Sequence, residues 1–104
     1  MSREIRDLIY ATLISSKSIC LELGVHIGKN AEKIVKYNPQ KLYLIDCWDC
    51  QRVNLEEKNI IIHSHAGANN EKQNKWYNEV KDKFANNKNV QVIKEYSHNA
   101  CNKF

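Results

Sequence analysis

The sequence predicts an α/β fold in which parallel strands alternate with helices. Three short apolar runs, at 18–23, 41–46 and 90–94, are separated by segments whose apolar residues recur at helical spacing. The order helix, strand, helix, strand, helix, strand is half of a doubly wound sheet. Right-handed crossovers then place the three strands in the order 3-2-1, with the first strand at an open edge.

The helices are predicted from apolar spacing and from breakers. The first covers about 4–15, where one helical face collects Ile5, Leu8, Ile9, Thr12 and Leu13. The second begins after Gly28 and ends near Tyr37, because Asn38 precedes Pro39 and the proline ring disfavours α geometry in the residue before it. The third begins near residue 71 and carries the stripe Trp76, Tyr77, Val80 and Phe84.

The remaining segments are less distinct. The run 18–23 is apolar at nearly every position, so we expect helices to cover it on both faces of the sheet. Residues 47–70 contain a β-prone run at 60–62, but no pattern around it fixes a partner. A connection of that length is unusual in a compact domain and is often functional. Residues 97–100 are typical of a helix cap and first turn.

The composition fits one globular domain over 1–104. The 104 residues are 42% hydrophobic and 27% charged, and the net charge of +4 is dispersed over predicted helix faces. No basic face with interleaved aromatic residues is present, so we do not expect a nucleic-acid partner. No apolar run approaches the ~20 residues that span a bilayer, and residues 1–7 lack a signal peptide's apolar segment. We therefore expect a cytoplasmic protein without membrane association and with free thiols.

The first strand runs into a turn that contains Gly24 and Gly28 and then into a helix. A dinucleotide fingerprint beginning at Gly24 would need glycines at 26 and 29, which are His26 and Lys29. The second strand ends in Asp46, 18 residues after Gly28. A carboxylate there can accept hydrogen bonds from both hydroxyls of a ribose. The combination favours a nucleoside-containing ligand without a pyrophosphate.

In these motifs the chain resembles the class I S-adenosylmethionine-dependent methyltransferases. The shared features are an acidic residue and a glycine turn after the first strand (22–28), the Asp-x-Trp of 46–48, the segment 71–84 and a later strand that leads to Ser97. The resemblance covers about 18–104 and is greatest to the small-molecule and sugar-type branch. It implies a Rossmann-like, three-layer half domain, truncated relative to the full seven-stranded fold.

The resemblance implies that S-adenosylmethionine is the cofactor and that a small molecule accepts the methyl group. Gly24 and Gly28 would lie against the methionine part, with Glu22 shaping the turn. Asp46 would bind the ribose hydroxyls. The residues bordering the adenine would be Cys47, Trp48 and Ser97. The family's later elements, which supply acceptor contacts and any catalytic base, have no counterpart in this chain, so no catalytic residue is assigned.

Structural roles remain open for the same side chains. The two glycines could serve only a tight turn. Glu22 could be a strand-end charge in an ion pair. Asp46 and Ser97 could cap helices.

Two other classes of function remain open. One is a catalytically inactive α/β fragment or interaction module that completes its sheet by forming a homo-oligomer through the edge of the first strand. The other is a zinc or thiol site involving Cys47, Cys50, His63 and His65. One residue separates His63 from His65, whereas three to five residues usually separate the two histidines in zinc sites of this kind. No thioredoxin-like order of elements surrounds the cysteines, and we expect no metal.

Overall fold

Three parallel strands form the main sheet, and helices precede, separate and follow them. The computed structural model describes residues 2–49 and 70–104, and the backbone of 51–55 and 58–62. The elements in chain order are α1 (Arg3–Leu13), β1 (Ile19–Leu23), α2 (Lys29–Val35), β2 (Lys41–Asp46), β3 (Gln51–Leu55), β4 (Lys58–Ile62), α3 (Asn70–Lys83), β5 (Val90–Lys94) and α4 (Ser97–Ala100), followed by a 3₁₀ turn at Cys101–Lys103.

The main sheet has the strand order β1-β2-β5, and both pairs are parallel. Leu21 lies opposite Tyr43, which in turn lies opposite Gln91. These observations confirm the predicted α/β class and the predicted order, with the first strand at an edge. The predicted bounds of β2 and β5 are also confirmed, and β1 begins one residue later than expected, at Ile19.

A second, antiparallel pair of strands lies within the segment that the sequence left unassigned. β3 and β4 pair with Val53 opposite Ile60. The β-prone run at 60–62 is therefore part of a strand, as its composition indicated. Its partner was not predicted, because the alternation of apolar and polar residues in 51–55 is too short to distinguish a strand from a loop.

The core lies on one face of the main sheet. Helices α2 and α3 contribute to it over the face that carries Leu42 and Leu44, both fully buried. The buried cluster consists of Val25, Ala31, Ile34, Leu42, Leu44, Trp48, Val80 and Phe84. The predicted stripe of α3 is confirmed, since Trp76 and Tyr77 pack against the cluster to which Val80 and Phe84 belong. Parallel strands that bury this face explain why β2 reads as an apolar run.

The opposite face is covered over β2 but open over β1. Ile45 is buried there, and the Phe104 ring meets the Tyr43 ring edge-on at 4.7 Å. On β1, by contrast, Ile19, Leu21 and Leu23 remain 69%, 45% and 58% exposed. The expectation that helices cover both faces of the first strand is therefore wrong for the described residues. An apolar run predicts a strand but does not reveal whether a layer lies over each face.

Helix α1 turns its apolar stripe outward. The Ser2 hydroxyl caps its start by accepting from the Ile5 N–H at 3.2 Å. Its inward side contacts α2 through a hydrogen bond from the Tyr10 hydroxyl to Asn30 (3.1 Å). None of the side chains of α1 is fully buried, and Leu8 is 68% exposed. No described helix has both the length and the apolar character that a membrane crossing requires.

Candidate functional site

Asp46 connects the carboxyl ends of the two strands on which the predicted site depends. Its Oδ2 accepts from the backbone N–H groups of Val25 (2.8 Å) and His26 (2.9 Å). Its Oδ1 accepts from the Trp48 N–H at 2.9 Å. The side chain is 7% exposed. The bend at 23–29 and the end of β2 are thus held together by one buried carboxylate, as the predicted site requires.

This bonding limits what Asp46 can still bind. A carboxylate offers about four lone-pair positions, and three are taken by backbone donors. One acceptor position remains, on Oδ1. The predicted acceptance of both ribose hydroxyls therefore does not fit this geometry, whereas acceptance of one hydroxyl does. The alternative that Asp46 caps a following helix is wrong, because the backbone N–H groups that donate to it lie in the bend after β1 and in the loop after β2.

Two residues joined to Asp46 have strained backbones. His26 has φ 59° and Trp48 has φ 42°, both in the left-handed region that disfavours residues with a Cβ. The Trp48 indole N–H donates to the His26 carbonyl at 2.8 Å, and the His26 ring meets Trp76 edge-on at 4.5 Å. Strain of this kind persists only where the surroundings hold it, and it concentrates at functional sites.

The two glycines of the turn have different surroundings. Both have φ +84°, so both require a residue that tolerates left-handed geometry. A Cβ on Gly24 would meet no atom within 4 Å, whereas a Cβ on Gly28 would lie 3.3 Å from the Phe84 ring and 3.5 Å from Val80. Gly28 therefore allows α3 to approach the turn. Only Gly24 presents open space in which a ligand could contact the backbone.

Glu22 contributes a carboxylate oxygen that no described residue satisfies. Its Oε1 accepts from the Asn30 amide at 2.6 Å, whereas its Oε2 is buried and has no hydrogen-bond partner within 2–49 and 70–104. Burial raises the pKa of this carboxyl most, and nearby Asp46 raises it further, against the lowering effects of Asn30 and Arg6. A buried acceptor left unpaired is costly, so this oxygen needs a further hydrogen-bond donor.

A cleft of about 330 Å³ opens where β2 and β5 end. The Tyr96 hydroxyl donates to Asp49 at 2.7 Å, and this bond raises the pKa of Tyr96 to about 12. The Lys94 ammonium donates to Asn74 at 3.1 Å. The cleft is lined by Cys47, Trp48, Asp49, Asn70, Asn74, Lys94, Glu95 and Tyr96. This mixture of polar groups with an indole and a phenol suits a small polar heterocycle.

The predicted site residues are only partly brought together. Cys47 and Trp48 line the cleft, and Asp46 joins them to the bend that carries Gly24. Ser97 is exposed and makes no side-chain capping bond, because Tyr96 occupies the N-cap position of α4. Among the described residues, Tyr96 rather than Ser97 lines the cleft. The capping alternative for Ser97 is therefore wrong.

The sequence did not single out Asn30, Asp49 or Tyr96. Asp49 and Tyr96 are 47 residues apart, so only the parallel pairing of β2 with β5 reveals that they meet. For Asn30 a signal existed: it lies two residues after the glycine turn, on the helix that follows an acidic strand end. An amide in that position can reach back to the carboxylate.

The structure bears differently on the metal and thiol hypotheses. In the part of the chain that the structure describes, no three His, Cys, Asp or Glu side chains are grouped to hold a metal ion. Three residues of the hypothetical site, Cys50, His63 and His65, lie outside the described residues. Burial raises the pKa of the Cys47 thiol, which opposes the thiolate character that thiol–disulfide chemistry needs.

The described arrangement gathers several polar groups at one edge of the sheet, and it identifies neither a ligand nor a reaction. An open backbone turn, a desolvated carboxylate oxygen, one free acceptor position on Asp46 and a polar cleft follow one another along the carboxyl edge of the sheet. Ligands of open α/β sheets bind at this edge. No family model, curated protein or solved structure gives a significant match to this chain.

Proposed function

We propose that this chain binds S-adenosylmethionine and is the cofactor-binding part of a methyltransferase acting on a small molecule. The parallel order of β1, β2 and β5 supports the proposal, because it brings the glycine bend and Asp46 to the same edge. In this proposal the methionine part lies at Gly24, one ribose hydroxyl donates to Asp46, and the adenine enters the cleft beside Trp48. Gly28 supports the turn by allowing α3 to pack against it.

The unpaired Oε2 of Glu22 carries the proposal. It lies two residues before the open Gly24, at the end of the edge strand, and it has no partner among the described residues. The methionine part of the cofactor bears an ammonium group, and the sulfonium is a second positive charge. The ammonium group would supply the hydrogen-bond donor that Oε2 lacks, in addition to the positive charge of Arg6 that already acts on this carboxyl. A purely structural salt bridge would have left this oxygen paired.

The chemistry of transfer asks the protein chiefly for position. When bound, the sulfonium supplies an activated methyl donor. The described residues would hold the donor in place and limit its exposure to water, and alignment of donor with acceptor accounts for much of the rate in such reactions. Glu22, Gly24 and Asp46 are therefore proposed as binding residues, and no described residue is proposed as a general base.

Calorimetric titration with S-adenosylhomocysteine tests this proposal. S-adenosylhomocysteine, which remains after methyl transfer, keeps the ammonium group that Oε2 would bind. We expect saturable binding by the wild-type chain and at least tenfold weaker binding by Glu22→Gln, which keeps the oxygen facing Asn30 but removes the charge. Glu32→Gln removes the same charge from an exposed pair with Lys83 and should bind like the wild type. The proposal fails if the wild type does not bind or if both variants bind equally well.

A further inference from the structure

The free edge of β1 is a ready surface for adding a strand. In the described part of the chain β1 pairs only with β2, so its outer N–H and C=O groups face no neighbouring strand. Such an edge is a template for pairing with another chain. Proteins commonly protect edges with lysine, proline, a bulge or an inward-pointing charge. β1, Ile19–Leu23, contains none of the first three, and its one charge, Glu22, is bonded to Asn30 of α2 and does not disturb the outer edge.

The exposed side chains of β1 are apolar, as the side chains at the centre of protein interfaces commonly are. Ile19, Leu21 and Leu23 lie on one face and are all at least 45% exposed. The single charged residue of the strand, Glu22, lies on the other face and is partly buried against Asn30. A strand added at this edge would extend the sheet and place its own apolar side chains beside the three that are now exposed.

The sequence of β1 favours a second copy of the same strand as the occupant. In an antiparallel pair centred on Leu21, each Leu21 lies opposite the other copy's Leu21. Ile19 then lies opposite Leu23, and Cys20 opposite Glu22, so no like charges meet. A parallel, in-register pair would instead place two Glu22 carboxylates side by side. The antiparallel arrangement is two-fold symmetric and closes on itself.

We propose that two copies of this chain associate through β1, antiparallel about Leu21, to form one continuous sheet. Two three-stranded sheets joined in this way give six strands, a size typical of globular proteins. The Glu22 side chain stays on the face that carries α2, so the cofactor proposal and the dimer proposal stand independently. Failure of either one leaves the other unaffected.

Sedimentation equilibrium of the full chain tests the association. We expect a concentration-dependent dimer for the wild type and at least tenfold weaker association for Leu21→Lys, which brings two ammonium groups together at the symmetry axis. Leu8→Lys makes the same change at an exposed position of α1 and should associate like the wild type. The proposal is overturned if the wild type is monomeric, or if Leu21→Lys associates as strongly as the wild type.

Oxidative cross-linking tests the register. In the proposed pair the two residues at position 21 face each other, within the distance that a disulfide spans. Leu21→Cys should therefore form a linked dimer beyond any background from the native cysteines. In Ile19→Cys the two introduced thiols would lie four positions apart, at ~13 Å, and should not link. Linking of Ile19→Cys as strong as that of Leu21→Cys would indicate parallel, in-register pairing. That result, or the absence of linking in both variants, would overturn the antiparallel arrangement.

Discussion

The indole N–H of Trp48 donates to the backbone carbonyl of His26 at 2.8 Å, and both residues have positive φ angles. The bond joins the loop after β2 to the bend after β1, beside the buried carboxylate of Asp46. Each segment thereby holds the other in a conformation that neither would adopt alone. The site is consequently a single unit, and changes at its members are expected to be coupled rather than additive.

Replacement of His26 should reveal the strain at that position. His26→Gly and His26→Ala both remove the ring that contacts Trp76. Left-handed backbone geometry costs the alanine variant more than the glycine variant, because alanine has a Cβ. The larger conformational entropy of glycine in the unfolded chain offsets part of this difference. We expect the glycine variant to be the more stable by roughly 0.5–1 kcal/mol. Urea unfolding measures the difference, and an alanine variant of equal or greater stability would contradict it.

Asp46→Asn should destabilise the fold strongly. An amide has one acceptor oxygen, whereas the carboxylate accepts from three backbone N–H groups. Its NH₂ group would face donors, so we expect a loss of about 2–4 kcal/mol in the free energy of unfolding. Asp49→Asn is the matched control, because one amide oxygen can still accept from Tyr96. If the two variants are equally stable, Asp46 does not anchor the bend.

Gly24→Ala and Gly28→Ala share the same backbone strain and separate the two roles of the turn. At Gly28 the added methyl also meets Phe84 at 3.3 Å, so this variant should be the less stable by about 1–3 kcal/mol. At Gly24 the methyl enters open space, so we expect little further loss of stability but at least tenfold weaker binding of S-adenosylhomocysteine. Thermal unfolding and calorimetry on both variants check the two halves of this prediction. Weaker binding by Gly28→Ala alone would reverse the assignment.

The effect of Glu22→Gln on stability should depend on pH. Burial raises the pKa of Glu22 in the folded chain above its ordinary value of 4.5. Protonation of the Glu22 carboxyl therefore stabilises the folded chain. This stabilisation is fully present below pH 4.5 and is lost as the pH rises through the pKa that Glu22 has in the folded chain. The glutamine variant lacks this loss, so its stability relative to the wild type should increase between pH 4 and 7. Urea unfolding across this range checks the sign, and a relative stability that decreases would refute it.

The local sequence pattern predicted the strands of the main sheet, but it did not predict which apolar side chains face solvent. β2 and β5 were predicted with their bounds because each is a short segment rich in apolar residues that ends in a charged residue. The apolar stripe of α1 was also predicted, but not that it faces solvent. Its orientation depends on Tyr10 reaching Asn30, a contact across 20 residues that no local pattern encodes.

The candidate site was likewise predicted only in outline, because its details depend on contacts between residues that are distant in sequence. Spacing placed Asp46 and the glycines at one sheet edge, which parallel pairing confirms. It did not distinguish Gly24 from Gly28, because that difference is made by Phe84, more than fifty residues away. Nor did it show that Asp46 already accepts three backbone hydrogen bonds. Motif spacing places a residue at an edge, whereas tertiary contacts decide which of its atoms remain available.

A titration of ¹⁵N-labelled protein with S-adenosylhomocysteine, followed by amide chemical shifts, shows whether the carboxyl edge of the sheet binds the ligand. We expect saturable shifts at Gly24 and Val25 and around Cys47 and Tyr96, with little change in α1. An absence of shifts at ligand saturation of a folded sample, or shifts confined to residues away from the carboxyl edge of the sheet, would contradict this expectation.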